Sequence, residues 1–238
     1  MPLNAGLERS LASYAAAAAA GCASVLWVAP PAEAEIVYTP TNTPIPINGG
    51  PVPLDLNHDG MVDFSFTNVS GNWSGAVFNF LLAAIPKQPS NAIWGRGSRS
   101  FTVWRSRYTE FGGGFAGALQ AGFKVGPDNL YLQRGKNGIM GFYRQSASSS
   151  HSNTATYGQW WNTKSRYLGL QFVIDGEEHY GWARLEVGTT KQGGVPATLT
   201  GYAYETIPNK PIIVGKTKGP DDRQGSLGAL AAGSAGRP

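Results

Sequence analysis

The chain has 238 residues, of which only 14% are charged, with 32 glycines and 16 prolines. That balance excludes a helical bundle or coiled coil, whose exposed faces need many Lys, Glu and Arg, while 42% hydrophobic and 11% aromatic content excludes wholesale disorder. The formal charge of +4 is small and the Lys and Arg residues are scattered, so nucleic acid is not indicated as a partner.

Residues 1–34 have the form of an export leader. Leu11 to Ala29 is uncharged and alanine-rich, and Pro30-Pro31 interrupts it. Ala32-Glu33-Ala34 places small residues at the −3 and −1 positions of a cleavage site, which sets cleavage after Ala34. The stretch is also long enough to span a bilayer, so a retained anchor is the alternative. Ala19-Ala20-Gly21-Cys22 resembles a lipoprotein box loosely, which leaves lipid anchoring through Cys22 as another alternative. Cys22 is the sole cysteine, so a cleaved chain has no disulfide, no cysteine nucleophile and no cysteine-ligated metal. Cleavage leaves no stable membrane span in the mature chain.

Val52 to Leu56 and Met61 to Thr67 flank His58-Asp59-Gly60, a hairpin signal. Across the turn runs Asp55-Leu56-Asn57-His58-Asp59-Gly60-Met61-Val62-Asp63, with the spacing D-x-N-x-D-G-x-x-D. Calcium takes several hard oxygens around a tightly turned backbone. Side chains at Asp55, Asn57 and Asp59 can face one centre, the Met61 carbonyl can add an oxygen, and Asp63 can bind directly or through water. Phe66 stands where a helix–loop–helix site would carry its bidentate glutamate, and the flanks read as strands. The loop is expected to hold a structural calcium ion. A plain polar turn is the alternative, although three carboxylates in nine residues repel one another unless neutralised.

Further on, Ala76 to Ala84 is an apolar run compatible with a buried strand or a helical turn. Phe101 to Trp104, Leu130 to Gln133 and Ile139 to Tyr143 are short predicted strands, with a tight turn at Asn137-Gly138 before the last. Ser146 to Ser152 is a serine-rich loop. Trp160-Trp161 is a candidate carbohydrate contact, because adjacent strand residues face opposite ways and one of the pair is then free to stack on a sugar ring. The opposing reading is that one is core and the other lines a sheet face. Tyr167 to Val187 is the clearest hairpin, turning at Asp175-Gly176-Glu177-Glu178. Leu168, Leu170, Phe172 and Ile174 share one face of its first strand. Gly181, Ala183, Leu185 and Val187 share one face of the second, and Tyr180, Trp182, Arg184 and Glu186 the other. Thr198 to Glu205 alternates, with Thr198, Thr200, Tyr202 and Tyr204 on one side. From Lys216 to Pro238 the chain is polar and then rich in Gly and Ala, a flexible tail.

These elements predict an all-β domain over residues 35–215, a two-sheet antiparallel sandwich of jelly-roll or lectin-like type. No nucleophile elbow, zinc-protease helix or phosphate loop is present, so an enzyme is not expected. A glycan-active hydrolase built on the scattered carboxylates is the least favoured reading.

Tyr180-Gly181-Trp182-Ala183-Arg184-Leu185-Glu186-Val187, Gly201-Tyr202-Ala203-Tyr204-Glu205-Thr206 and the Asp55 to Phe64 segment together resemble uncharacterised secreted bacterial proteins of the PEP-CTERM-associated type. The resemblance is strongest at the two ends of the domain. It implies export and a β-sandwich and no activity. The C-terminus departs from the sorting-tail pattern, because Gly236-Arg237-Pro238 ends it without a full apolar span and basic cluster. The expected function is a secreted, calcium-stabilised β-sandwich with a structural or adhesive role at the cell surface or in the extracellular matrix. A carbohydrate-binding module is the alternative. Extracellular glycan, or self-association through open sheet edges, would supply the partner.

Overall fold

The computed structural model describes residues 35–73, 77–104, 108–129, 131–132, 134–147, 151–189 and 195–219. The predicted leader, residues 1–34 with Cys22, and the predicted tail beyond residue 219 lie outside them. Among the described residues there are strands and no helix, and so none long and apolar enough to cross a membrane.

Five strands form the first sheet, in the order β1 (Ile36–Pro44), β13 (Ala197–Glu205), β12 (Glu177–Val187), β11 (Thr163–Ile174) and β5 (Ala92–Ile93), every neighbour antiparallel. The second sheet runs β2 (Val52–Leu54), β3 (Phe64–Trp73), β4 (Val77–Pro86), β9 (Asn137–Ala147), β7 (Tyr108–Ala116) and β6 (Gly95–Trp104). A further strand, β10 (Ser152–Gly158), pairs with β9. β8 (Lys124–Val125) and β14 (Ile212–Ile213) make a small two-stranded ladder. The predicted all-β sandwich is what forms, with one departure from a purely antiparallel plan: β7 runs parallel to β9 over Gly113–Phe115.

The sandwich core follows from strand alternation. Phe64, Phe66, Phe80 and Leu82 of the second sheet meet Leu168, Leu170, Phe172, Ala183 and Leu185 of the first, all buried in one cluster. Each large side chain removed from water here contributes roughly 1.5–3 kcal/mol. The hairpin β11–β12 keeps the predicted faces, but its turn is only Asp175-Gly176, with Ile174 opposite Glu177. Asp175 at φ 51° and Gly176 at φ 87° give the two-residue turn whose twist matches the flanking strands.

The opposite face of the first sheet is covered as well. Tyr180 and Trp182 pack with Tyr167 and Ala203 under Leu119, Val125, Ile212 and Val214. A third cluster, Leu81, Ala83, Ile139 and Phe142, lies on the other face of the second sheet.

Three local readings change. Asn137-Gly138 is not a turn. It opens β9, and a Cβ at Gly138 would press on Ile93 and Ala116, so glycine serves close packing there. Alternation along β13 breaks at a bulge between Arg184 and Leu185 of its partner β12, which lets Leu199 and Tyr202 both reach the sandwich core. Trp160-Trp161 lies in the β10–β11 connection, not in a strand. The run Ala76 to Ala84 resolves as strand, its residues 77–84 lying in β4 and Ala76 outside the described residues.

Candidate functional site

The Asp55–Asp63 loop joins β2 to β3, whose register sets Val52 opposite Phe66 and Leu54 opposite Phe64. Residues of both strands enter the core, so the loop is anchored at each end. Two left-handed residues give it its curvature: His58 at φ 60° and Gly60 at φ 87°. Nothing lies near the Cβ position of Gly60, so it is the backbone conformation that favours glycine there.

Inside the loop, side-chain oxygens converge on main-chain N–H groups. Asp55 accepts from His58 N at 2.7 Å and from Gly60 N at 2.9 Å, one through each carboxylate oxygen. Asp59 accepts from Met61 N at 2.7 Å through Oδ1 and from the Asn57 amide at 3.0 Å through Oδ2. These two donors, Asn57 first, hold the Asp59 carboxyl below the usual aspartate range. Asp63 is only 6% exposed, and its Oδ2 accepts from Leu56 N at 2.8 Å. Burial is the main cause that pushes its pKa up to about 6, and the nearby Asp55 and Asp59 carboxylates add to it. Asn57 Oδ1 is enclosed and has no hydrogen-bond partner. An enclosed acceptor without a donor costs about 1–3 kcal/mol.

The loop is fixed to both sheets. The main-chain oxygen of Asp63 accepts from Lys87 N at 2.8 Å and from the Asn91 amide at 3.1 Å. His58 crosses to the first sheet. Its Nε2 is hydrogen-bonded to the Tyr202 hydroxyl at 3.0 Å, and the two rings lie 5.8 Å apart. Thr39 Oγ1 is 3.5 Å from the same nitrogen. Asn91, Thr39 and Tyr202 carry no local signal that would tie them to the loop. Their link to it is set by strand pairing.

The side-chain groups the loop offers to a cation are all oxygens: the carboxylates of Asp55, Asp59 and Asp63 and the Asn57 amide oxygen, while Met61, itself 60% exposed, turns its N–H to Asp59. Such a set suits a hard cation and not zinc or copper. Among the described residues no three His, Cys, Asp or Glu side chains are gathered closely enough to hold an ion by themselves. The Asn57 oxygen is therefore the atom that distinguishes the loop from a hydrogen-bonded turn. It is a buried acceptor facing no donor.

The two candidate sugar contacts separate. Trp160 is fully enclosed, with its Nε1 donating to Ala116 O at 3.0 Å, so it presents no ring face. Trp161 is half-buried, donates to Tyr157 O at 3.0 Å, and stands edge-on to Phe80 at 5.2 Å. Of the acidic residues, Glu178 receives Arg134, Gln171 and the Tyr180 hydroxyl. Buried Glu205 pairs with Lys210 at 3.4 Å and accepts from Ile207 N. Arg184 donates to Thr200 rather than pairing along its strand with Glu186. No protein family, curated protein or solved structure matches the chain.

Proposed function

We propose that this chain is a secreted, calcium-stabilised β-sandwich with a structural or adhesive role at the cell surface or in the extracellular matrix. Asp55, Asn57, Asp59, Asp63 and the Met61 carbonyl would hold the ion. The observation that carries the reading is the enclosed, partnerless Asn57 Oδ1 in a loop that also holds three aspartates, of which Asp63 is buried. A cation would satisfy the first and neutralise the second. The leader-like N-terminus and the absence of any cysteine beyond Cys22 supply the context. An exported domain without disulfides gains from an ion that fastens a loop.

The test is a thermal melt of the full chain in excess calcium and in chelator. Calcium at a hundred times its dissociation constant stabilises by about 2.7 kcal/mol, or roughly 5–11 °C for a domain of this size. The rise should vanish in Asp59→Ala and in Asn57→Ala. An unchanged midpoint in the unaltered chain would reduce the loop to a polar hairpin turn.

A further inference from the structure

β9 changes partners along one edge. Phe115 of β7 lies opposite Ile139 in a parallel pairing, whereas Gly158 of β10 lies opposite Gly141 in an antiparallel one. Parallel and antiparallel neighbours cannot continue one another, because their hydrogen-bond patterns differ. The sheet therefore splits at Met140. Gly158 sits at the split, and a Cβ there would overlap the Met140 carbonyl.

The split opens as a cleft of about 570 Å³ between the base of the β6–β7 hairpin and the end of β10. That volume is ordinary for a ligand site. Trp94, Phe115 and Tyr157 line it, together with four glycines. Tyr157 is 41% exposed. Arg96, Thr156 and Gln159, all exposed, also line it. None of the lining residues carries a carboxylate.

We propose that this cleft binds a pyranose bearing a carboxylate, as a unit of an acidic polysaccharide. Aromatic walls take the apolar C–H face of a sugar ring. The Thr156 hydroxyl and Gln159 amide suit its hydroxyl groups. The planar guanidinium of Arg96 matches a carboxylate through two parallel hydrogen bonds. The site stands on the cleft and not on the Asp55–Asp63 loop, so the two can succeed or fail separately.

The experiment is calorimetric titration of the full chain in calcium with a galacturonate hexamer and, in parallel, with neutral maltohexaose, while following tryptophan fluorescence. The acidic hexamer should bind, and more weakly as salt is raised. Its affinity should fall at least about tenfold in Tyr157→Ala and in Arg96→Gln, and stay unchanged in Arg144→Gln, an exposed arginine on the strand beyond the split. No binding of the acidic hexamer overturns the proposal. Equal binding of the neutral hexamer overturns the acidic class. Binding kept in both cleft variants overturns the location.

Discussion

Replacing Asp63 with asparagine should stabilise the calcium-free protein at neutral pH. The Asp63 carboxyl is almost fully buried, and its pKa lies near 6 against an ordinary 3.8. The folded state thus holds the proton more tightly than the unfolded chain. The contribution of Asp63 to stability is fully present below about pH 3.8 and is lost as pH rises through about 6. Raising a carboxyl from 3.8 to about 6 corresponds to about 3 kcal/mol. For a domain of this size that is roughly 6–12 °C in the melting midpoint. Asparagine keeps an oxygen for Leu56 N and carries no charge to bury. In chelator, then, the unaltered protein should lose stability relative to Asp63→Asn between pH 4 and pH 7. In calcium the order should reverse, because the variant loses a charged ligand. Midpoints of both proteins, measured across that pH range in each condition, check this. Parallel midpoint curves in chelator would refute the reasoning, because they would show that Asp63 ionises without penalty in the folded state.

Trp160→Ala should cost about 3–5 kcal/mol in denaturant unfolding, because the side chain is fully enclosed and donates to Ala116 O. Trp161→Ala should cost clearly less, and equal losses would contradict their assigned burial. Gly176→Ala should cost about 1–2 kcal/mol, since Gly176 holds φ 87° in the β11–β12 turn. An unchanged midpoint for that variant would mean that the turn is not two-residue.

What the sequence disclosed was local. The β11–β12 hairpin was readable because its faces, turn and pairing lie within a continuous run, where period-two alternation alone assigns inside and outside. That Asp55–Asp63 forms a turned connection between two strands was readable because its polar residues and Gly60 fall within nine positions. Features that depend on register were not. Thr200 continues the alternation of Thr198 and Tyr202, and only pairing with β12 reveals the bulge that breaks it. Asn137-Gly138 has turn composition, yet the space between Ile93 and Ala116 decides its place. Trp160 and Trp161 are adjacent, but a connection between strands does not obey strand alternation, so both turned toward packed surroundings. The covered outer face of the first sheet was hidden too, because Leu119, Val125, Ile212 and Val214 come from short segments with no periodicity to count. The split at Met140 arises from two strands that meet only in space.

The same non-local wiring gives the loop its structural consequence. It leaves and re-enters the second sheet, while His58 reaches Tyr202 on the first, 144 residues away. An ion that fixes the curvature between Asp55 and Asp63 therefore also fixes where the His58 ring stands. Ion binding and the His58–Tyr202 contact should accordingly stabilise one another. Tyr202→Phe keeps the ring and removes the hydroxyl, so it isolates the hydrogen bond at a cost of about 0.5–1.5 kcal/mol. Combined with Asp59→Ala in a double-mutant cycle, its effect in calcium should be smaller than in the unaltered loop, giving a coupling of at least about 0.5 kcal/mol. In chelator the coupling should shrink, because Asp59 then acts only through Met61 and Asn57. Strict additivity in calcium would show that the ion orders the loop without fastening one sheet to the other.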